Sequence, residues 1–442
     1  MSAKREWQVL CVLLLFVIVA FVRHRDTVAS DLAPSYLGCR VLAGGGQQHL
    51  YAHDPVLFNH VYDSFWDAAK KAGGLPLDYN TPPYVQTPLW AWALEPVCTR
   101  MSFQSFVWMF LGLTLVGFAS TIGVVARYWA PRLFHPGWIA VVCVALYPTE
   151  AFQYSLHLVQ THVLFVFLMV AALTLAGRGR PVWGGLLLAV AAAVKITPGF
   201  LLIYWLIQRN WKAAASFVFW SIAIGVVTLM VAGPKLSLEY LHTLSRASNL
   251  LLVAFNNQSF AAWWMGRSYP ASELFVWHTF NMPMGMKVIS TALSLCSATI
   301  GGWMDRASTA KTAGAMPWFG AAFAIVGTMI FAPIAWSHYS VVLVIPAMLL
   351  MDGSLRETMS FRWRYCFSLI ALTILALNLY PLSYREILMH AFKLKAMGGQ
   401  TLSLVRSQFY AGLCSLVGMW LLYSRWKVTA GSDRTESNTS LG

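Results

Sequence analysis

An aspartate, a lysine and a histidine stand where apolar sequence should not tolerate them: Asp31 in SDLAPSYLG, Lys195 in AVAAAVKITPGF and His338 in PIAWSHYS. Together they could supply a base, a cation for an anionic leaving group, and a proton donor or acceptor. A lysine at mid-bilayer depth costs about 2.5–3.5 kcal/mol on insertion scales, so Lys195 must sit near an edge, have an anionic partner, or both. Pro198 follows three residues later, removing a backbone donor and disfavouring helix at Thr197. A helix break is therefore expected at Lys195, and carbonyls freed at membrane depth are tolerated only against protein or a water-filled cavity. A compact ammonium at that break could hold a phosphate at headgroup level. Snorkelling to the lipid headgroups accounts for it as well.

The setting of these residues is a membrane. Of 442 residues 58% are hydrophobic and 11% charged, with a mean hydropathy of +0.59. Soluble domains carry about 25% charged residues. The net charge of +14 is scattered through short connections with no basic stripe, which marks membrane topology and gives no reason to expect nucleic acid. Seven cysteines form no metal-binding spacing. Cys11, Cys143, Cys296, Cys366 and Cys414 lie in apolar segments, whereas Cys39 and Cys98 share one long loop. A disulfide between those two and two unpaired thiols both remain open.

At about 20 apolar residues per crossing, about twelve segments can be read, from 7–22 to 402–423, and the segments 183–194 and 198–207 flanking Lys195 look like two half-spans. The first has Lys4 and Arg5 before it but no small-residue cleavage site, so it is expected to be an uncleaved helix. Short connections dense in cations, such as RYWAPR, GRGR and RNWK, alternate with the long stretches 23–102, 233–285 and 380–401. The short set and both termini are expected in the cytoplasm, with the long loops outside. Residues 1–427 then form one transmembrane domain, and the polar stretch 428–442 is expected to be a disordered cytoplasmic tail. Within the outer loops, 55–71 and 236–253 place apolar residues at helical spacing. They suit amphipathic helices on the membrane surface or ordinary helices of a folded outer subdomain. Asp63 and Asp67 would lie on the solvated face of the first, and Asp54 could cap it.

With that orientation the unusual polar residues fall on one side. Asp31 lies beyond the first helix, Lys195 at an outer break, and Asn256 to Ser259 and Arg267 in an outer loop. Gln160, His162 and His338 head later helices from the same face. They point to a reaction or binding site at the outer interface. Other outer carboxylates compete for the role of base: Asp54, Asp63, Asp67, Asp78 and Glu95. Asp31 stands apart because a carboxylate at a membrane helix end must be wet or occupied. The carboxylates form no compact cluster, so no metal is expected.

Several elements occur in a fixed order between about Asp31 and about Leu350. They are DLAPSYLGCRVLAGGGQQHLY from Asp31, YNTPP at Tyr79 with Pro88-Leu89 after it, VQTH at Val159, KITP at Lys195 with QRNWKA after it, NQS at Asn257, and PIAWSH at Pro333. This order resembles glycosyltransferase family 87, polytopic enzymes of the GT-C fold that take a sugar from a polyprenyl phosphate carrier. Leu32 replaces the aromatic residue that follows the family's acid, and VQTH departs from its GQ-x-N element. The resemblance implies an all-α polytopic GT-C-type bundle with surface helices in the outer loops. It makes Asp31 the base of an inverting transfer, with His338 beside it in the chemistry. Lys195 and Arg267 would bind the donor phosphate, and Asn257, Gln258, Gln160, His162, Trp336 and Tyr36 the sugar or acceptor. The donor would be a polyprenyl-phosphate sugar, mannose first, and the acceptor a glycolipid or envelope polysaccharide at the outer face of a bacterial inner membrane. No cofactor or metal is implied. The competing function is a transporter or flippase of a lipid-linked sugar, because broken helices and intramembrane charges suit transport too. A scaffold subunit of an envelope assembly is a third reading.

Overall fold

Inside a bilayer the backbone can satisfy its polar groups only within helices or closed barrels, and the apolar runs of this chain become helices. The computed structural model describes residues 3–53, 61, 63–269, 273–309, 317–379 and 405–439. In chain order its α-helices are α1 (Ala3–His24), α2 (Ala33–Ala43), α3 (Ser64–Gly73), α4 (Pro88–Cys98), α5 (Phe103–Val124), α6 (Pro136–Leu146), α7 (Glu150–Leu158), α8 (His162–Gly177) and α9 (Pro181–Val194). There follow α10 (Leu201–Ile207), α11 (Trp211–Ser248), α12 (Phe260–Gly266), α13 (Met284–Thr309), α14 (Phe319–Ile330), α15 (Val344–Ser354), α16 (Phe361–Asn378) and α17 (Ser407–Thr439).

Among the described residues, five helical stretches are long and apolar enough to cross a membrane: Ala3–His24, Phe103–Trp129, Trp211–Ser248, Met284–Thr309 and Ser337–Ser354. The pair α6 and α7, bent by 74°, makes a sixth candidate. Four apolar helices are shorter: His162–Gly177, Pro181–Val194, Thr197–Ile207 and Phe319–Ile330. Each of the twelve expected segments contains a helix, several of them short and meeting at breaks.

Three local expectations need correction. The outer stretch 236–253 is helical only to Ser248. Leu250–Val253 is a strand (β1), paired antiparallel with His278–Asn281 (β2) in the register Leu250 to Asn281, a short ribbon in an otherwise helical molecule. A four-residue aliphatic run buried at every position fits a strand as well as a helix, and pairing decides it. In the first loop the helix starts at Ser64, not 55, and Asp63 caps it by accepting from the Phe65 N–H at 2.8 Å. Asp54 and the 380–401 loop lie outside the described residues. Finally, α17 is helical through Thr439, into the polar stretch expected to be disordered.

Helices α1 and α5 run antiparallel and define two ends of the bundle. At one end Gln104 Nε2 and Trp108 Nε1 both donate to the Arg25 carbonyl, at 3.0 and 2.9 Å. There Cys39 on α2 and Cys98 on α4 form a disulfide, which resolves the pairing left open above. At the other end Glu6 pairs with Arg127 at 3.0 Å. Near it, the buried Asp352 accepts from the Arg132 N–H at 2.8 Å and pairs with Arg132 Nη1 and Arg356 Nη2 at 3.2 and 3.6 Å. Trp129 stacks on Trp318 there, centroids 4.9 Å apart and planes within 3°. Asp305, fully buried on α13, accepts from the Gly320 and Ala321 N–H groups at 2.8 Å each and from the Tyr204 hydroxyl at 2.7 Å. It thereby satisfies donors at the start of α14 that the helix itself cannot. Gly301 and Gly320 let α13 and α14 touch: a Cβ on Gly320 would lie 1.9 Å from the Gly301 carbonyl oxygen.

Candidate active site

Asp31 lies in the short connection between α1 and α2. That connection is tied to the end of α7, with Thr27 Oγ1 and the Ala29 N–H donating to the His157 carbonyl at 2.6 and 3.1 Å. One carboxylate oxygen accepts from Gln160 Nε2 and the other from Ser30 Oγ at 3.4 Å. Gln160 is set for this by the junction of α7 and α8, where Val159 takes a left-handed conformation (φ 50°) and the Gln160 N–H donates to the Ser155 carbonyl at 2.9 Å. Burial pushes the Asp31 carboxyl up to about 6, while the Ser30 and Gln160 hydrogen bonds and the Lys195 charge pull the other way.

Helix α9 stops where proline chemistry says it should. Lys195 is extended (φ −150°, ψ 129°), and Thr197–Phe200 makes a 3₁₀ turn before α10. The Lys195 ammonium points into the protein, 3.1 Å from the centroid of the Tyr339 ring and 5.8 Å from that of Phe165. It lines a narrow cleft of about 40 Å³ together with His162 and Tyr339, and with apolar walls that include Phe165, Met169 and Ile325.

His338 is buried beside this cleft. Its ring centroid is 5.0 Å from that of His162, 4.7 Å from Tyr339 and 5.7 Å from Tyr154, and Trp336 stacks on it at 6.3 Å and 12°. Neither ring nitrogen of His338 has a hydrogen-bond partner among the described residues. Four hydrogen bonds from the turn at 256–259 hold the strand of backbone that carries it. Asn257 Oδ1 accepts from the Ala335 N–H at 2.9 Å, the Gln258 N–H donates to the Ala335 carbonyl at 2.6 Å, Ser259 Oγ donates to the Pro333 carbonyl at 3.1 Å, and the Asn256 carbonyl accepts from the Ser337 N–H at 2.7 Å.

Of the residues singled out in the sequence, Asp31, Gln160, His162, Lys195, Trp336 and His338 come together. Asn257 and Gln258 are close by, but backbone occupies their side chains. Asn257 Nδ2 donates to the Leu252 carbonyl at 2.8 Å, and Gln258 Nε2 to the carbonyls of Phe255 and Val405 at 2.7 and 2.9 Å. Two are placed elsewhere. Tyr36 is fully buried between Phe103 and Phe106, and its hydroxyl donates to the Met101 carbonyl at 2.9 Å. Arg267 is exposed over the rings of Trp263 and Trp264. Among the rival carboxylates, Asp63 is paired with His49 at 2.8 Å. Tyr154 and Tyr339 were not singled out. Tyr154 bonds to Asn256 and lies within electrostatic range of Asp31. Adjacency to His338 was the available signal for Tyr339; Tyr154 had none, because an aromatic at helical spacing reads first as core.

The model of glycosyltransferase family 87 matches residues 84–316, just over half of the chain. Lys195, Gln160, His162 and the 256–259 turn fall inside that span, while Asp31 and His338 fall outside it and rest on geometry. The chain is also similar to a polyprenol-phosphate-mannose-dependent alpha-(1-2)-phosphatidylinositol pentamannoside mannosyltransferase of Mycobacterium tuberculosis (strain CDC 1551 / Oshkosh), at 25% identity over 308 residues. That match covers 69% of this chain and 64% of the relative, so it spans less than two thirds of the relative's length. No solved structure matches.

Proposed function

The chain belongs to glycosyltransferase family 87, and from that premise we propose that it moves a sugar from a polyprenyl phosphate carrier to a glycolipid or envelope glycan at the outer face of the membrane. Mannose is the first candidate for the sugar, since the relative's donor carries it. The observation that carries this reading is that Lys195 and His162 line one cleft with apolar walls while Asp31 lies within reach of the Lys195 charge and His338 packs against His162, all from separate parts of the chain.

In the proposed step the acceptor hydroxyl oxygen attacks the anomeric carbon from the face opposite the phosphate. The new glycosidic bond forms as the bond from that carbon to the phosphate oxygen breaks, inverting the centre. The hydroxyl proton passes to the Asp31 carboxylate, and polyprenyl phosphate leaves with the bonding pair. Lys195 offsets the charge on that phosphate in a setting poor in water, where a fixed cation is worth most. The apolar walls beside it suit the first units of a prenyl chain. His338, neither of whose ring nitrogens has a partner among the described residues, would bond the phosphate or the acceptor. Gln160 holds the base. Asn257 and Gln258 act on the loop that carries Trp336 and His338.

The short, cation-dense connections at the opposite end of the bundle, where Arg127, Arg132 and Arg178 lie, and a disulfide at the end that holds Asp31, support an outward-facing site. Transport of a lipid-linked sugar is less favoured, because the family assignment points to transfer. A panel of radiolabelled polyprenyl-phosphate sugars, given to membranes containing the wild type or Asp31→Asn, tests the proposal. Transfer by the wild type that is lost in the variant is expected; transfer that survives the substitution overturns Asp31 as base. Label crossing vesicles with no transfer from any donor overturns the enzyme reading in favour of transport.

A further inference from the structure

The start of α17 reaches the candidate site from the far end of the sequence through one side chain. Arg406 is fully buried. Its Nη1 donates to the Ala254 carbonyl at 2.7 Å and also to the Asn257 carbonyl, and its Nη2 donates to the Ala262 carbonyl at 3.2 Å. Ala254 and Asn257 belong to the irregular turn between β1 and α12, and Ala262 to the first turn of α12 itself, so one guanidinium ties the turn to the helix that follows it. The opposite side of that turn carries the four hydrogen bonds to 333–337, and Trp336 and His338 follow directly. Gln258 closes the loop from the other direction, accepting from the Phe409 N–H at 3.3 Å.

We infer that Arg406 is a positioning residue for the transfer step, fixing Trp336 and His338 through the 254–259 turn and the start of α12; this rests on the transferase reading above. Burying a guanidinium costs several kcal/mol in desolvation, so packing alone is better served by a neutral side chain. What the charge adds is a rigid planar fork whose strong, charge-assisted bonds can gather converging carbonyls. Lysine has the charge without the fork. The turn therefore keeps its shape only with arginine, and the ring of Trp336 keeps its stack on His338.

The test uses the full chain in lipid nanodiscs, labelled with 5-fluorotryptophan and read by ¹⁹F NMR. Trp336→Phe assigns the site resonance, and Trp129→Phe assigns a reference at the opposite end of the bundle. In Arg406→Gln and Arg406→Lys the Trp336 resonance is expected to shift or broaden while that of Trp129 stays in place. Transfer should fall about 10²-fold in kcat, as for a misplacement of about 1 Å, with donor KM changed by less than about threefold. An unmoved Trp336 resonance in a folded variant overturns the inference, as does full kcat in Arg406→Lys. If Arg406→Gln does not fold, Arg406→Lys decides. If the wild type transfers no sugar, the transferase reading falls while the fluorine spectrum still reports whether Arg406 controls the loop.

Discussion

Asp31 holds a proton more tightly than an ordinary carboxyl, because burial outweighs its two hydrogen-bond donors and the nearby ammonium. A base must be ionised, so kcat/KM should rise with pH through an acid limb near 6 and level off above about 7. Gln160→Leu removes a donor that favours the carboxylate and should move that limb to higher pH, read from the pH–rate profile. Asp31→Asn should lower transfer by about 10²–10⁴-fold. The effect on stability has the opposite sign. A carboxyl raised from 3.8 to about 6 binds its proton more readily folded than unfolded, which favours the fold at low pH. Above about 6 the ionised group works against folding, by about 3 kcal/mol. Asp31→Asn should thus keep or raise the detergent melting temperature at pH 7.5 while losing activity, a pair of results that a boundary residue of structural value would not give. Lys195→Met should raise donor KM about tenfold or more, since hydrogen bonds to charged groups are worth about 1.5–3 kcal/mol. Asp31, Lys195 and His338 could be picked out because a charge or imidazole in apolar sequence demands a reason. Asn257 and Gln258 could be located but not assigned, because an amide serves a sugar hydroxyl or a stray carbonyl equally well. Arg406 was missed, since an arginine at a helix start resembles a topology signal.

The break at Lys195 was readable because Pro198 forbids an uninterrupted helix there, and the bend of α11 has the same origin at Gly233 (φ 75°) and Pro234. The strand pair β1–β2 was not, because four apolar residues carry no periodicity of their own and their partner lies across a loop. Which of the apolar segments cross the membrane unbroken was not legible for a related reason: hydropathy sees apolar runs but not the bends that divide them, such as the 74° turn between α6 and α7. At the junction of α13 and α14, at the end of the bundle opposite the site, Asp305→Ala would leave the Gly320 and Ala321 N–H groups without their acceptor. At about 1–3 kcal/mol for each buried group left unsatisfied, it should lower the melting temperature sharply. Gly320→Val should do the same by forcing apart two helices whose backbones touch. Protein that survives either change is expected to keep the donor KM of the wild type, because neither residue borders the cleft.

The bundle has two unlike ends. One is braced by Glu6–Arg127, the Asp352 ion pairs and the Trp129–Trp318 stack; the other gathers the site. That assignment of ends is open to direct measurement. In a background without other free thiols, Asp26→Cys should react with a membrane-impermeant maleimide added to intact cells, and Arg178→Cys only after lysis; the reverse pattern would turn the molecule over. Replacing Cys39 and Cys98 by serine should cost about 2–5 kcal/mol of stability and abolish a mobility difference between reduced and oxidised samples on gels. That same bond bears on how the protein is made. Cys98 precedes Phe103, where the second long helix begins. With that end facing outward, as proposed, an oxidant there would seal the pair while the ribosome is still translating the remainder, so each later segment would be threaded in alongside an already hardened cap. Strains lacking thiol-oxidising catalysts should then accumulate nascent chains that stall in maturation, long before any sugar is handled.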